Sequence, residues 1–149
     1  MHHPQERGHR NIADLCYKKR HFKMIKKIVK FFREHKKTSW FSLIITILIM
    51  TYCSSIKGNS VSFSSSYPSI IYHFTIFLGF SFFLFAVIRN KNTKTVEILI
   101  TILISIIVSV LDELHQSFVP LRDPSIKDAL IDFSGSIIAI ISSKILEKD

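Results

Sequence analysis

The sequence predicts an all-α fold: a membrane-embedded four-helix bundle with both termini cytoplasmic, preceded by a basic N-terminal arm. Three observations lead there. Hydrophobic residues make up 48% of the 149 residues, thirteen of them Phe, while Gly and Pro number only four each. That composition excludes a turn-rich β protein and argues against a soluble domain. The net charge of +9 is unevenly placed, with twelve Lys/Arg against three acids in residues 1–37 and eight of each sign afterwards. Finally, the apolar runs are about as long as a bilayer requires, roughly 20 residues per helix.

The chain divides into an arm, residues 1–37, and a four-helix domain, residues 38–149. In the arm, Phe22, Ile25, Ile28, Val29 and Phe32 recur at helical spacing with lysines between them. A basic amphipathic helix of this kind lies on a membrane surface and attracts the anionic lipids of the inner leaflet; a frayed basic tail is the alternative. No nucleic-acid recognition motif accompanies the charge, so nucleic acid is not an expected partner. Met24, which opens "MIKKIVKFF", is a second candidate translation start. Cys16 and Cys53 are too few for a disulfide framework.

Each span follows from the distribution of charges. Nineteen uncharged residues separate Lys37 from Lys57, giving a first span over 38–56. Thirty-one separate Lys57 from Arg89, and the second span is placed after Pro68, at 70–88. The third and fourth, 95–114 and 129–146, hold shorter uncharged runs and are plausible as a packed pair in the lipid bilayer. Gly135, Ala139 and Ser143 recur every four residues, which gives the last helix a smooth face for close helix packing. Oligomerisation is a further way to accommodate short spans.

Loop charge sets the expected orientation. The arm and the segment carrying Arg89, Lys91 and Lys94 belong inside, whereas the serine-rich segment after Lys57 and the acidic segment after the third span belong outside. Both termini are then cytoplasmic. A two-span protein with a partly buried C-terminal hairpin is the alternative topology.

This topology gathers the unusual polar residues at one level. The outer helix ends carry Ser54 and Ser55, then His73, then Asp112, Glu113, His115 and Gln116, then Asp128 and Asp132. Asp112, His115 and Gln116 share a helical face at i, i+3 and i+4. Asp132 stands at the mouth of an apolar helix, where an unpaired carboxylate is costly and faces a partner or water; His73, His115 and Arg122 are its candidate partners. Each residue also has a plainer reading. Asp128 suits a helix N-terminus, Glu113 suits solvent, and Glu97 and Lys144 read as helix-end charges.

The stretch "DELHQSFVPLRDPSIKDALIDFSGSIIA" resembles the signature of the VanZ-like family of small bacterial membrane proteins. Its positions fall on Asp112, Glu113, His115, Gln116, Arg122, Asp128, Asp132 and Gly135. The serine pair Ser54 and Ser55, and His73 followed by "FLGF" at 77–80, match in order, so the resemblance covers about residues 38–146. Three positions depart from the pattern: Asp132 where Asn is frequent, Phe77 where Tyr is frequent, and Leu121 where a glycine commonly precedes the Arg. The resemblance implies a four-helix fold in the bacterial cell (plasma) membrane and an association with teicoplanin resistance. It implies no particular reaction.

Two function classes follow, with a third behind them. The first is a membrane hydrolase or transferase acting on a lipid-linked envelope molecule. His73, Asp112, Glu113, His115 and Asp132 would be its catalytic groups, and Ser54, Ser55, Gln116, Arg122 and Asp128 would hold substrate. His73, His115 and Asp132 are candidate ligands for a divalent metal, and Arg122 suits a phosphate or carboxylate. The second is a non-enzymatic membrane factor whose polar cluster is a clasp, or binds a cell-wall precursor or glycopeptide. The third is a small transporter component, for which no inverted repeat is evident.

Overall fold

A computed structural model describes residues 5–57, 67–89, 94–122 and 124–147. Five helices follow one another: α1 (Gln5–Glu34), α2 (Lys36–Ser54), α3 (Tyr67–Ile88), α4 (Lys94–Ser117) and α5 (Ile126–Glu147). The last four are long and apolar enough to cross a membrane. They run alternately up and down, as expected from the sequence. Residues 58–66, 90–93 and 123, which include loop charges used to assign orientation, lie outside the described residues.

At the end where the polar residues gather, α3, α4 and α5 extend past the expected spans, whereas α2 stops at Ser54, short of the expected 56. Helix α3 starts at Tyr67 and takes Pro68 into its first turn, where the missing N–H has no helical partner to lose. Helix α4 continues through the acidic stretch to Ser117. Helix α5 begins at Ile126. The added turn of α4 places Gln116 on regular helix with Asp112 and Glu113, where spacing alone sets their relative directions.

The arm is one long helix separated from α2 by a break at His35. Its last turns dock on the bundle: Phe32 meets Phe82 and Phe83 edge-on, with ring centroids 5.9 and 5.1 Å away. The hydroxyl of fully buried Ser39 donates to the Phe32 carbonyl across the break. Val29 and Phe32 are half-buried, while Phe22, Ile25 and Ile28 stay exposed on the same arm.

At this arm end, Lys36 Nζ donates to the carbonyls of Ala86, Val87 and Arg89 at 2.8, 2.8 and 2.6 Å. Those carbonyls close α3 and have no partner within the helix, so a cation from α2 satisfies them. Glu97 is a helix-end charge, in the first turn of α4, as the sequence suggested. It is buried, and its carboxylate receives a hydrogen bond from Arg89 at 3.1 Å.

The bundle is apolar outside and more polar inside. Phe41, Leu48, Leu103, Val110, Leu130 and Ile141 are exposed, whereas Ser39, Thr46, Ser81, Thr101, Ser105, Ser109 and Ser136 are buried. Lipid tails do not repel outward Leu or Ile, and buried hydroxyls can satisfy themselves on their own helix or across to the next. Thr101 donates to the Glu97 carbonyl at 2.7 Å, and Ser81 meets Ser105 between α3 and α4 at 2.9 Å. An apolar cluster of Leu43, Met50, Phe77, Phe80 and Leu84 fills the centre.

Helices α3 and α5 form the most extensive pair. Gly135 is the reason they come so close: a Cβ placed there would stand 2.5 Å from the Phe74 carbonyl oxygen and 3.2 Å from the Leu78 nitrogen. Ala139 and Ser143 continue the same buried face. This contact fixes the depth and rotation of α5 against α3, and therefore the position of Asp132 against His73.

Candidate functional site

Two buried carboxylates at the polar end are fully partnered. Asp112 on α4 accepts from Ser54 Oγ on α2 at 2.6 Å and from Gln116 Nε2 one turn further along α4 at 2.8 Å. Both its oxygens are occupied, and the three residues tie the ends of α2 and α4 together.

Asp132 on α5 is similarly enclosed. One oxygen lies 2.9 Å from His73 Nδ1 on α3, and the other accepts from Ser109 Oγ on α4 at 2.9 Å. Asp132 and His73 are 0% and 1% exposed. With Asp132 ionised and accepting on both oxygens, Nδ1 carries the proton. The lone pair of His73 is then at Nε2, free to bind a proton or a cation.

Glu113 is different. Its Oε2 accepts from the Ser125 backbone N–H at 2.7 Å, just before α5 begins, while its Oε1 is buried and has no partner. The residue is 9% exposed, so the plainer reading, in which it faces solvent, does not hold. A buried carboxylate oxygen left unpaired costs on the order of 1–3 kcal/mol or more, and native structures retain few such atoms. Beside it, His73, Glu113 and Asp128 each offer a ligand atom, all within 4.8 Å of one another.

Other residues of the expected site are placed differently. His115 is exposed and pairs through Nε2 with Ser55 Oγ at 3.0 Å. It does not partner Asp132, whose two oxygens are taken by His73 and Ser109. Arg122 donates to the Cys53 carbonyl at 3.2 Å, closing the end of α2, and so bonds to backbone there rather than to Asp132. The metal set His73, His115 and Asp132 is therefore not assembled, although His73 belongs to the group that is.

Ser109 is the site residue that sequence reasoning missed. The signal was present: Thr101, Ser105, Ser109 and Glu113 recur every four residues on an otherwise apolar helix. Extending that stripe reaches Glu113, whereas His115, six residues beyond Ser109, points elsewhere.

A pocket of about 330 Å³ opens beside this group, lined by Val110, Glu113, Pro124, Ser125, Ile126 and Ala129. Its walls are mostly apolar, and Glu113 supplies the carboxylate. Such a pocket suits a molecule with an apolar part and a polar group that meets Glu113.

Membrane-length helices enclosing a polar layer at one end define the class: a small multi-pass, all-α membrane protein. The chain belongs to the VanZ/LLP1 family, whose sequence model matches residues 5–147. The match takes in most of the basic arm as well as the 38–146 stretch that carries the motif. No curated protein and no solved structure matches the chain.

Proposed function

We propose that this VanZ-family protein binds a lipid-linked envelope or cell-wall molecule at its polar end and thereby contributes to glycopeptide (teicoplanin) resistance. The protein would sit in the bacterial plasma membrane with both termini cytoplasmic, so that the polar end lies at the extracytoplasmic surface. The charge distribution supports that orientation, because the excess of Lys and Arg falls before the first span.

One observation carries the site reading: Glu113, which lines the apolar pocket, also holds a buried oxygen, Oε1, without a partner. The pocket accommodates part of a lipid chain, and the polar layer receives the headgroup. His73 Nε2 and Glu113 are the groups placed to take up or deliver a proton if the bound molecule reacts. A hydrolase or transferase acting on a phosphate or ester is the enzymatic form of this proposal.

A second reading, a non-enzymatic clasp, is favoured by Asp112, whose carboxylate is saturated by Ser54 and Gln116. The two readings assign different residues, so one experiment separates them. Glu113→Gln keeps an acceptor for the Ser125 N–H and should abolish resistance, with membrane abundance unchanged. Asp112→Ala strands two buried partners, should cost about 2–3 kcal/mol, and should lower abundance. Teicoplanin susceptibility would be measured beside protein level in cells producing each variant. If resistance survives Glu113→Gln at normal abundance, the site reading fails and the clasp remains.

A further inference from the structure

We infer that His73, Glu113 and Asp128 form a binding site for one divalent cation of the zinc or manganese kind, with Asp132 positioning the histidine. This rests on the reading of the polar end as a binding site, and assigns it a cofactor and a ligand set.

Three helices supply the ligands: His73 from α3, Glu113 from α4 and Asp128 from the first turn of α5. Their ligand atoms lie within 4.8 Å of one another. Metal bonds of about 2.0–2.2 Å place tetrahedral ligands roughly 3.3–3.6 Å apart. The widest pair therefore has to close by at most about 1.2–1.5 Å, within the reach of Glu and Asp side-chain rotations.

The surroundings prepare each ligand. Asp132 accepts from His73 Nδ1, the carboxylate–histidine arrangement that orients a metal-binding imidazole and raises its basicity. The Ser125 N–H occupies Glu113 Oε2 and leaves Oε1 buried without a partner. A cation would supply that partner. It would also offset the repulsion between the Glu113 and Asp128 carboxylates, which is strong where little water screens it.

One imidazole nitrogen and two carboxylate oxygens suit zinc or manganese better than a soft, thiolate-seeking metal. Three protein ligands also leave coordination positions open, as in sites where a metal meets a substrate. Glu113 belongs to both the ligand group and the pocket wall. A phosphate or ester headgroup of a molecule in the pocket would thus lie beside the ion.

The test uses the full chain purified in detergent without a polyhistidine tag, stripped with chelator, and titrated with zinc chloride or manganese chloride. Bound metal is counted by elemental analysis and affinity is measured by calorimetry, with helix content followed for every variant. Wild-type protein should bind one ion at this site. Glu113→Gln and Asp128→Asn should each weaken binding at least tenfold, and Asp132→Asn by 10- to 100-fold, the usual effect of losing a carboxylate behind a histidine ligand. His115→Ala should leave the affinity unchanged.

An absence of bound metal in the wild type overturns the inference. So does affinity unaffected by Glu113→Gln and Asp128→Asn in folded protein, or affinity lost in His115→Ala. The functional reading fails separately: stoichiometric metal with no change in teicoplanin susceptibility on Glu113→Gln leaves the cation site standing. A susceptibility change without metal binding does the reverse.

Discussion

Leu121 has φ of 65°, in the left-handed region that costs an L side chain roughly 1–2 kcal/mol. Its side chain is exposed and gains little from burial. The turn nevertheless needs this conformation, because the chain must leave α4 and bring the Arg122 guanidinium back to the Cys53 carbonyl. The VanZ-like pattern commonly has glycine at this position, which the backbone geometry explains. Leu121→Gly should therefore stabilise the protein by about 0.5–1 kcal/mol, after the greater freedom of glycine in the unfolded chain is allowed for. Thermal unfolding in detergent measures this, and an unchanged or lower midpoint would show that the turn carries no strain. Glu113 makes the complementary point. Its misfit is electrostatic rather than conformational, and we assign it to binding.

Among elements, the α3–α5 contact governs the site. At Gly135 an added Cβ meets backbone atoms of Phe74 and Leu78, which cannot rotate aside as a side chain would. Gly135→Ala must push the helices apart, and overpacking of this kind costs about 1–3 kcal/mol. The same shift would pull Asp132 away from His73. Gly79 provides the control, since nothing lies within 4 Å of a Cβ built there. Gly79→Ala should be neutral or stabilising by up to about 1 kcal/mol through helix propensity. The comparison of the two unfolding midpoints decides; equal stability would mean that α5 is not held by that close approach. At the arm end, Lys36 closes α3 with three carbonyl contacts, so the start of α2 is anchored independently of the polar layer.

For the whole molecule, the polar and arm ends of the bundle are chemically distinct, and orientation determines which face meets the envelope. Pro120, exposed beyond α4, is a convenient reporter. With Cys16 and Cys53 replaced by Ser, a P120C variant should react with a membrane-impermeant maleimide added to intact cells. Labelling only after the cytoplasm is opened would place the polar end inside and remove the envelope molecule as ligand. The number of spans, the close-packing face at Gly135, Ala139 and Ser143, and the gathering of His73, Asp112, Asp128 and Asp132 at one end were all legible in the sequence. Each depends on length, charge or local periodicity, which the chain carries residue by residue. Only the tertiary structure decided that Glu113 turns inward while His115 turns to Ser55, that Ser109 completes the pairing of Asp132, and that His73 stands near Glu113 and Asp128. Helical period fixes directions within one helix, but how far that helix is rotated against its neighbours is set by backbone contacts between helices, as at Gly135.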